Sequence, residues 1–279
     1  MIDLDTLFEP FRYSFMIKAF IISFVISIPT SLLSCFLVLK GWALLGDAIS
    51  HAILPGIILA FIFNIPLLFG AFVSGLMCAV LTGYISNNCR VKPDTVMGVV
   101  FSGFFGIGMI LYFLVNSNIH LDYILFGNLL GIENHEMRLV IPLSILVSSI
   151  IIIKWKDYLL YSFDLVQAKA SGLKVNILHY VLLSIISVTV VITLSATGLI
   201  LAVGLIIAPG AIAFLLTRQF SNMLIISVLI CVFSMFFGTY LSFFIDSAPA
   251  PTIILVLTIL FFIAFIRKIL ITSKKTILS

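Results

Sequence analysis

The chain has 279 residues, of which 62% are hydrophobic and only 9% are charged. A soluble domain carries roughly 25% charged residues, so this composition excludes an ordinary water-soluble enzyme, a disordered protein and a disulfide-rich scaffold. The 15 Lys and Arg stand singly or in pairs between apolar runs, which argues against a nucleic-acid partner. The composition predicts an all-α, polytopic transmembrane helical bundle, surrounded by membrane lipid, that forms a single transmembrane domain over residues 1–279.

Nine apolar runs are candidate spans, since a transmembrane helix needs about 20 residues. They lie near 14–39, 46–63, 65–86, 94–116, 138–155, 176–196, 198–216, 220–245 and 250–271. Nine crossings place the N-terminus outside, together with Arg12 and Lys18, which is unfavourable. Eight crossings plus one segment that enters the membrane and returns remove this difficulty. The sequence alone leaves eight and nine spans open.

The distribution of basic residues predicts the orientation of the bundle. Twelve of the fifteen Lys and Arg fall on one side of the predicted spans: Lys40, Arg90, Lys92, Lys154, Lys156, Lys169, Lys174, Arg218, Arg267, Lys268, Lys274 and Lys275. Arg12, Lys18 and Arg138 fall on the other side. The positive-inside rule therefore predicts that the connection over about 156–175 and the C-terminus lie in the cytoplasm.

Residues 40–56, KGWALLGDAISHAILPG, contain the strongest candidate site. Asp47 and His51 are four residues apart, so on a helix they project from the same face. A carboxylate at bilayer depth costs about 2.5–3.5 kcal/mol and is normally kept for function, and a carboxylate with an imidazole suits manganese, iron or zinc. Alternatively, Asp47 caps the helix and His51 is a satisfied buried histidine. The pattern leaves both interpretations open, and two ligands do not close a site.

Two proline–glycine pairs interrupt predicted spans: Pro55-Gly56 and Pro209-Gly210. Proline removes a helix hydrogen bond and glycine permits close approach of backbones, and broken helices of this kind often line the substrate route in transporters. A simple kink explains the pairs equally well, because Pro and Gly are common in membrane helices.

Two connections between spans have patterns of their own. The outer loop over about 117–137 contains LDYILFGNLLGI, which is amphipathic and too short to span; it predicts a helix over the mouth of the bundle or an interfacial anchor. The connection over 156–175 contains the small residues Ala168 and Ala170 and ends at Gly172, a natural helix stop. Such a helix fits a groove on a cytoplasmic partner, although a solvated connector is the simpler interpretation.

Motifs of catalysis are absent from the sequence. There is no G-x-x-x-x-G-K-[ST] phosphate loop, so the chain does not bind ATP by that route. His135-Glu136 lacks the second histidine of H-E-x-x-H, and no G-x-S-x-G nucleophile elbow occurs. The sequence therefore predicts a protein that is not itself an enzyme. Its four cysteines show no paired spacing and are predicted to be free thiols.

Four segments, LGDAISHAILPGI, LDYILFGNLLGI, FDLVQAKASGLKV and LIIAPGAIAFLLTRQF, carry a resemblance to a known family. In this order they are similar to the permease subunits of bacterial ABC importers for manganese, iron or zinc. The resemblance extends from about the first span to the last. It implies a multi-pass protein of the bacterial inner membrane without a permanently bound cofactor. The implied partners are cytoplasmic ATP-binding cassette subunits, a second permease copy or paralogue, and an extracytoplasmic metal-binding protein.

The resemblance also implies roles for individual residues. Asp47 and His51 become the metal ligands of the pathway, and the segment from Phe163 to Leu173 becomes the helix that couples to the ATPase. The implied coupling residues are Phe163, Asp164, Ala168, Ala170, Gly172 and Leu173. The segment LFGN, with Asn128, resembles the manganese and chelated-iron permeases of the family, since zinc permeases more often have an acidic residue at the Asn128 position.

We therefore expect the permease of an ABC importer that moves a divalent metal, manganese or iron, into the cytoplasm while a separate ATPase supplies the energy. A zinc-specific importer of the same family and an ion-coupled secondary cation carrier are the alternatives. The predicted second span begins at residue 46, which places Asp47 near the cytoplasmic surface, whereas a central metal site requires the 40–50 stretch to lie deeper.

The chain departs from the family that it resembles at Lys40-Gly-Trp42, where members usually have a basic pair followed by a polar residue.

Overall fold

The computed structural model describes residues 8–115, 127 and 129–277. Within these ranges the secondary structure is helical. In chain order the α-helices are α1 (Ser14–Lys40), α2 (Leu45–Ile62), α3 (Leu67–Asn88), α4 (Pro93–Val115), α5 (Asn134–Phe163), α6 (Leu165–Ala170), α7 (Val175–Thr197), α8 (Leu199–Leu216), α9 (Phe220–Ile245) and α10 (Pro249–Ile277). Short 3₁₀ turns cover Glu9–Arg12 and Leu129–Gly131.

All of these α-helices except α6 are long and apolar enough to cross a membrane, which gives nine candidate spans in the described part of the chain. The predicted all-α transmembrane bundle is confirmed. The helices start within two residues of the predicted spans, apart from α5, which starts at Asn134 and continues to Phe163. Its early start has a local cause, because the backbone N–H of Glu133 donates to the Glu136 carboxylate at 3.3 Å and caps the first turn.

Short connections make consecutive spans antiparallel neighbours. Residues 41–44, 63–66 and 89–92 join the first four helices, and Gly198 alone joins α7 to α8. Helices α1, α3, α5, α8 and α10 therefore finish at the same end of the bundle. We call it the basic end, because Lys40, Arg90 and Arg218 lie there.

The helices pack around α1, which contacts α5, α7, α8 and α9. Buried apolar side chains form two main clusters: one joins α1, α2, α3, α4, α5, α7 and α8, and the other joins α1, α5, α7, α8, α9 and α10. Helix α2 lies between α3 and α4. Helix α4 is peripheral, since its described residues bury only Val96, Met97 and Gly108. This arrangement leaves one side of α2 covered by a single outer helix.

Candidate functional site

Asp47 and His51 lie on one face of α2, as the spacing predicted. Asp47 is in the first turn of the helix, and its Oδ1 lies 3.4 Å from Nε2 of His51. The side chains are 32% and 30% exposed, respectively. The N-cap of α2 is Leu44, without a side-chain cap hydrogen bond, so Asp47 does not act as the cap. Its carboxylate is still favoured there by the positive end of the helix dipole.

The pair lies deep in the bundle rather than at its surface. A Cβ on Gly46 would lie 2.9 Å from Cγ2 of Ile206, which stands ten residues inside the basic end of α8. The thiol of Cys78, ten residues inside the basic end of α3, donates to the carbonyl of Ala48 at 3.9 Å. Ten helical residues span about 15 Å, so the first turn of α2 begins about 15 Å inside the basic ends of α3 and α8. The sequence left open whether Asp47 lies near the surface or deeper, and these contacts favour the deeper position, because α2 starts inside the bundle.

Two aromatic rings of α4 flank His51. The ring centroid of Phe101 lies 5.8 Å from that of His51, with the planes inclined by 28°, and Phe105 meets the imidazole edge-on at 5.6 Å. Sequence reasoning missed both residues. Their (i, i+4) spacing is a signal in principle, but among 26 Phe it is indistinguishable from a lipid-facing stripe.

One chain offers two ligands at this position. Within the described residues, no group of three or more His, Cys, Asp or Glu side chains is close enough together to hold a metal ion. A divalent transition metal is bound by four or more ligands, so Asp47 and His51 alone would not complete a coordination sphere. Their exposed faces are where further ligands can approach.

The first proline–glycine pair lies at a close helix crossing. Pro55 and Gly56 are buried, and a Cβ on Gly56 would lie 2.1 Å from the carbonyl oxygen of Gly70 on α3. Only two glycines allow the backbones of α2 and α3 to approach so closely. Pro55 and Gly56 also line an apolar cavity of about 330 Å³ between α2, α3 and α4. Their part in a transport route stays a prediction.

The second pair is bridged by α1. Pro209 and Gly210 are buried in α8, where proline cannot donate a backbone hydrogen bond. The Ser34 hydroxyl accepts from the N–H of Gly210 at 2.8 Å and donates to the carbonyl of Ile207 at 2.9 Å. A Cβ on Gly210 would lie 2.5 Å from the Ser34 backbone, so this is again a tight crossing. Pro209 and Gly210 thus fix α8 against α1, and their part in the route also stays a prediction.

The segment Phe163–Leu173 contains the short helix α6. The Asp164 carboxylate accepts from the N–H groups of Val166 and Gln167 at 2.8 and 3.1 Å, which caps the helix. Gly172, at φ +78°, ends it in the left-handed conformation. We call Phe163–Leu173 the docking segment.

The exposed apolar surface of the docking segment differs from the small residues that the sequence singled out. Ala168 is fully buried within the chain, whereas Ala170 is exposed and Leu173 is half-buried. Phe163 and Val166 are 68% and 77% exposed. Exposed apolar side chains of this kind, close together on a short helix and its start, are typical of a contact surface for another protein. Sequence reasoning missed Val166, whose exposure depends on the capped geometry.

Part of the outer loop lies outside the described residues, including Asn128 and most of the predicted amphipathic helix. The described part is inserted in the bundle: Leu129 and Ile132 are buried in the second apolar cluster. A Cβ on Gly127 would lie 2.3 Å from the backbone nitrogen of Gly198. Gly127 therefore seats this loop directly on the α7–α8 junction.

The chain is similar to known transport proteins over almost its whole length. The sequence pattern of the ABC 3 transport family matches residues 12–268. The chelated iron transport system membrane protein YfeD of Yersinia pestis is 47% identical over 258 residues, which are 92% of this chain and 87% of YfeD. The manganese transport system membrane protein MntB of Synechocystis is 42% identical over 260 residues, 93% of this chain and 85% of MntB. The solved structure of PsaBC from Streptococcus pneumoniae in complex with Fab superposes with a TM-score of 0.81 and 33% identity, covering 91% of this chain and 92% of that chain.

Proposed function

Because the chain belongs to the ABC 3 transport family, we propose that it is the permease of a binding-protein-dependent importer that moves divalent manganese or iron into the bacterial cytoplasm. Relatives named for chelated iron and for manganese transport support this choice of metals. A separate ATPase chain powers the cycle, since this sequence has no phosphate-binding loop. The permease itself performs no covalent chemistry.

The observation that carries this proposal is the Asp47–His51 pair in the middle of the bundle. A partly exposed carboxylate at this depth is costly in lipid, so it faces a path for polar solute or another protein. Carboxylate oxygen and imidazole nitrogen are ligands that manganese and iron accept. A second copy of the permease, bound at the exposed face of the pair, brings a second Asp and a second His and completes the coordination.

The transport cycle follows from this placement. A metal-binding protein delivers the ion at the end opposite to the basic end, and the ion exchanges part of its hydration shell for Asp47 and His51. The basic end faces the cytoplasm, in agreement with the positive-inside rule. The docking segment binds the ATPase there through Phe163 and Val166, and closure of the ATPase switches access to the cytoplasmic side.

Uptake by the reconstituted complex tests the proposal. Vesicles containing permease, ATPase and metal-loaded binding protein should accumulate Mn²⁺ only when ATP is supplied. Asp47→Ala and His51→Ala should each lower uptake by more than the roughly tenfold that loss of an outer-shell partner costs. Asp94→Ala and His135→Ala are matched controls, because both side chains are exposed at the ends of the bundle.

Each alternative predicts a different result in these vesicles. Normal uptake by both Asp47→Ala and His51→Ala, at normal expression, would remove the pair from the pathway. Uptake that continues without ATP and follows an ion gradient would identify a secondary carrier. In a competition experiment, a zinc importer would be identified if Zn²⁺ inhibits uptake of Mn²⁺ and Fe²⁺ at lower concentrations than Mn²⁺ and Fe²⁺ need to inhibit each other.

A further inference from the structure

Four side chains from three separate segments meet at the basic end of the bundle: Lys40, Trp42, Tyr161 and His179, which we call the Lys40 cluster. Tyr161 and His179 are buried, and the phenolic oxygen lies 2.7 Å from Nδ1 of the imidazole. Trp42 meets the His179 ring edge-on, with 5.6 Å between centroids. The ammonium of Lys40 lies 3.5 Å from the centroid of the Tyr161 ring and 5.4 Å from that of Trp42.

The charged member of the cluster, Lys40, contacts aromatic rings instead of a carboxylate. In the described part of the chain no carboxylate lies within ion-pair distance of Lys40, and its cation is placed over two aromatic faces instead. The His179 ring fits because residue 83 is glycine, where a Cβ would lie 2.8 Å from Nε2. A hydrogen bond, a cation–π contact and a ring contact thus fix the relative positions of three segments.

Two members of the cluster bracket the docking segment. Tyr161 stands two residues before Phe163, where the segment begins, and His179 stands six residues after Leu173, where it ends. The hydrogen bond between Tyr161 and His179 therefore joins the two helices that flank the segment, holding the end of α5 to the start of α7. A force applied to the docking segment reaches both residues together.

The other two members belong to the turn that starts α2. Trp42 donates its backbone N–H to Leu37 at 2.9 Å and accepts from the N–H of Leu45 at 3.1 Å. Gly41, at φ +68°, provides the left-handed residue that the turn needs. The turn is therefore hydrogen-bonded to the end of α1 and to the start of α2, and a displacement of Trp42 displaces the first turn of α2, which carries Asp47.

We propose that the Lys40 cluster transmits movement of the docking segment to the Asp47–His51 pair, so that Lys40, Trp42, Tyr161 and His179 are positioning residues for import. This inference rests on the proposed function, because it names how ATPase closure reaches the metal site. The path is short: docking segment, Tyr161 and His179, the Lys40–Trp42 turn, then α2. Each step is either a continuous stretch of chain or a contact already described, between helices or hydrogen-bonded turns.

The proposal makes coupling, rather than binding or hydrolysis alone, depend on the cluster. Without the contacts between the turn and Tyr161–His179, the docking segment still binds the ATPase and ATP is still hydrolysed. Helix α2 then no longer follows the movement, and metal stays on one side. The quantity to measure is therefore the number of metal ions imported per ATP hydrolysed.

Two pairs of variants isolate the contacts with minimal change of volume. Tyr161→Phe removes the hydroxyl that bonds His179 and keeps the ring beneath Lys40. Tyr158→Phe is its control on the same helix, because the Tyr158 hydroxyl has no hydrogen bond to any described residue. Lys40→Met removes the cation, and Lys40→Arg keeps a cation that can lie over the same rings.

The experiment uses the complete complex in vesicles. Mn²⁺-loaded binding protein is added on one side of the membrane, and ATP is supplied on the opposite side, where the ATPase is bound. Mn²⁺ import and ATP hydrolysis are measured in the same sample. Tyr161→Phe and Lys40→Met should each lower the Mn²⁺ per ATP by at least about fivefold, the lower end of coupling between sites. Tyr158→Phe and Lys40→Arg should retain the wild-type ratio. The double variant Tyr161→Phe/Lys40→Met should fall little further than the single variants, since both act on one unit.

Four outcomes would contradict the inference. An unchanged ratio in Tyr161→Phe and Lys40→Met would show that the cluster does not transmit movement. Equal falls in import and hydrolysis, with lower thermal stability of the complex, would show a merely structural role. Absence of ATP-dependent Mn²⁺ import by the wild type would contradict the proposed function and this inference with it. Normal wild-type import that Asp47→Ala abolishes, with an unchanged ratio in Tyr161→Phe, would contradict the inference alone.

Discussion

Gly56 shows how a single missing side chain sets the approach of two helices. Its backbone faces Gly70 so closely that a Cβ at either position would overlap a carbonyl oxygen of the other helix. Not every glycine of the bundle has such a role. Gly103 on α4, for example, has no atom within 4 Å of the place where its Cβ would be. The two positions allow a direct comparison.

We predict that Gly56→Ala destabilises the protein by about 1–3 kcal/mol, the usual cost of forcing extra volume into a packed interior. Gly103→Ala should be neutral or stabilising, by up to about 1 kcal/mol, because alanine favours the helix and meets no neighbour. Thermal unfolding of the purified permease in detergent measures both. Equal melting temperatures for the two variants would contradict the packing argument.

The sequence identified Asp47 and His51 because two ionisable residues at (i, i+4) spacing in an apolar run are uncommon and chemically informative. It could not identify Phe101 and Phe105, because phenylalanine is abundant in every span and its pattern carries no information about which ring meets the imidazole. The Lys40–Tyr161 contact was equally hidden, since it joins residues far apart in the chain. Local chemistry was readable, and long-range pairing was not.

Helix α6 carries the next prediction. Its cap at Asp164 and its stop at Gly172 give a defined turn and a half of helix that presents Val166 to the surroundings. Val166→Asp should weaken co-purification of the ATPase and lower metal uptake, because it places a charge in an apolar contact. The stability of the permease alone should not change, since the side chain is exposed.

Asn176→Asp is the control for this charge. Residue 176 is exposed at the same end of the bundle but lies outside the docking segment, in the first turn of α7. It adds the same negative charge without entering the proposed contact. Equal retention of the ATPase by Val166→Asp and Asn176→Asp would exclude Val166 from the docking surface.

Helix positions along the chain were largely predictable, whereas the depth of α2 was not. Hydropathy locates the apolar run that begins near residue 46, but it cannot show that the run starts inside the bundle. That depth follows from the contacts of Gly46 with α8 and of Ala48 with α3, which depend on the packing of all three helices. The central placement of the site thus belongs to tertiary structure.

The orientation of the entire bundle can be tested with its own thiols. Cys89 is exposed at the basic end, and Cys35, Cys78 and Cys231 are buried. A membrane-impermeant maleimide should therefore label Cys89 in inside-out vesicles and leave intact spheroplasts unlabelled, since the basic end is predicted to be cytoplasmic. Labelling of intact spheroplasts at Cys89 would reverse the predicted topology.

A relocated thiol provides the complementary measurement. Ala248 is exposed at the opposite end of the bundle, in the short connection between α9 and α10. The double variant Cys89→Ser/Ala248→Cys should react in intact spheroplasts and remain protected in inside-out vesicles. Both reactions together assign each end of the bundle to one side of the membrane.

The junction of α7 and α8 imposes a constraint on how such a chain can change length. Gly198 is the whole connection, and Gly127 rests against its backbone from the outside. An inserted residue at this junction would have to displace the loop at Gly127 and, at the same time, shift α7 and α8 relative to each other. Insertions and deletions among natural relatives should therefore be absent from the α7–α8 junction. An epitope tag or a fused reporter should be inserted at another position of the chain.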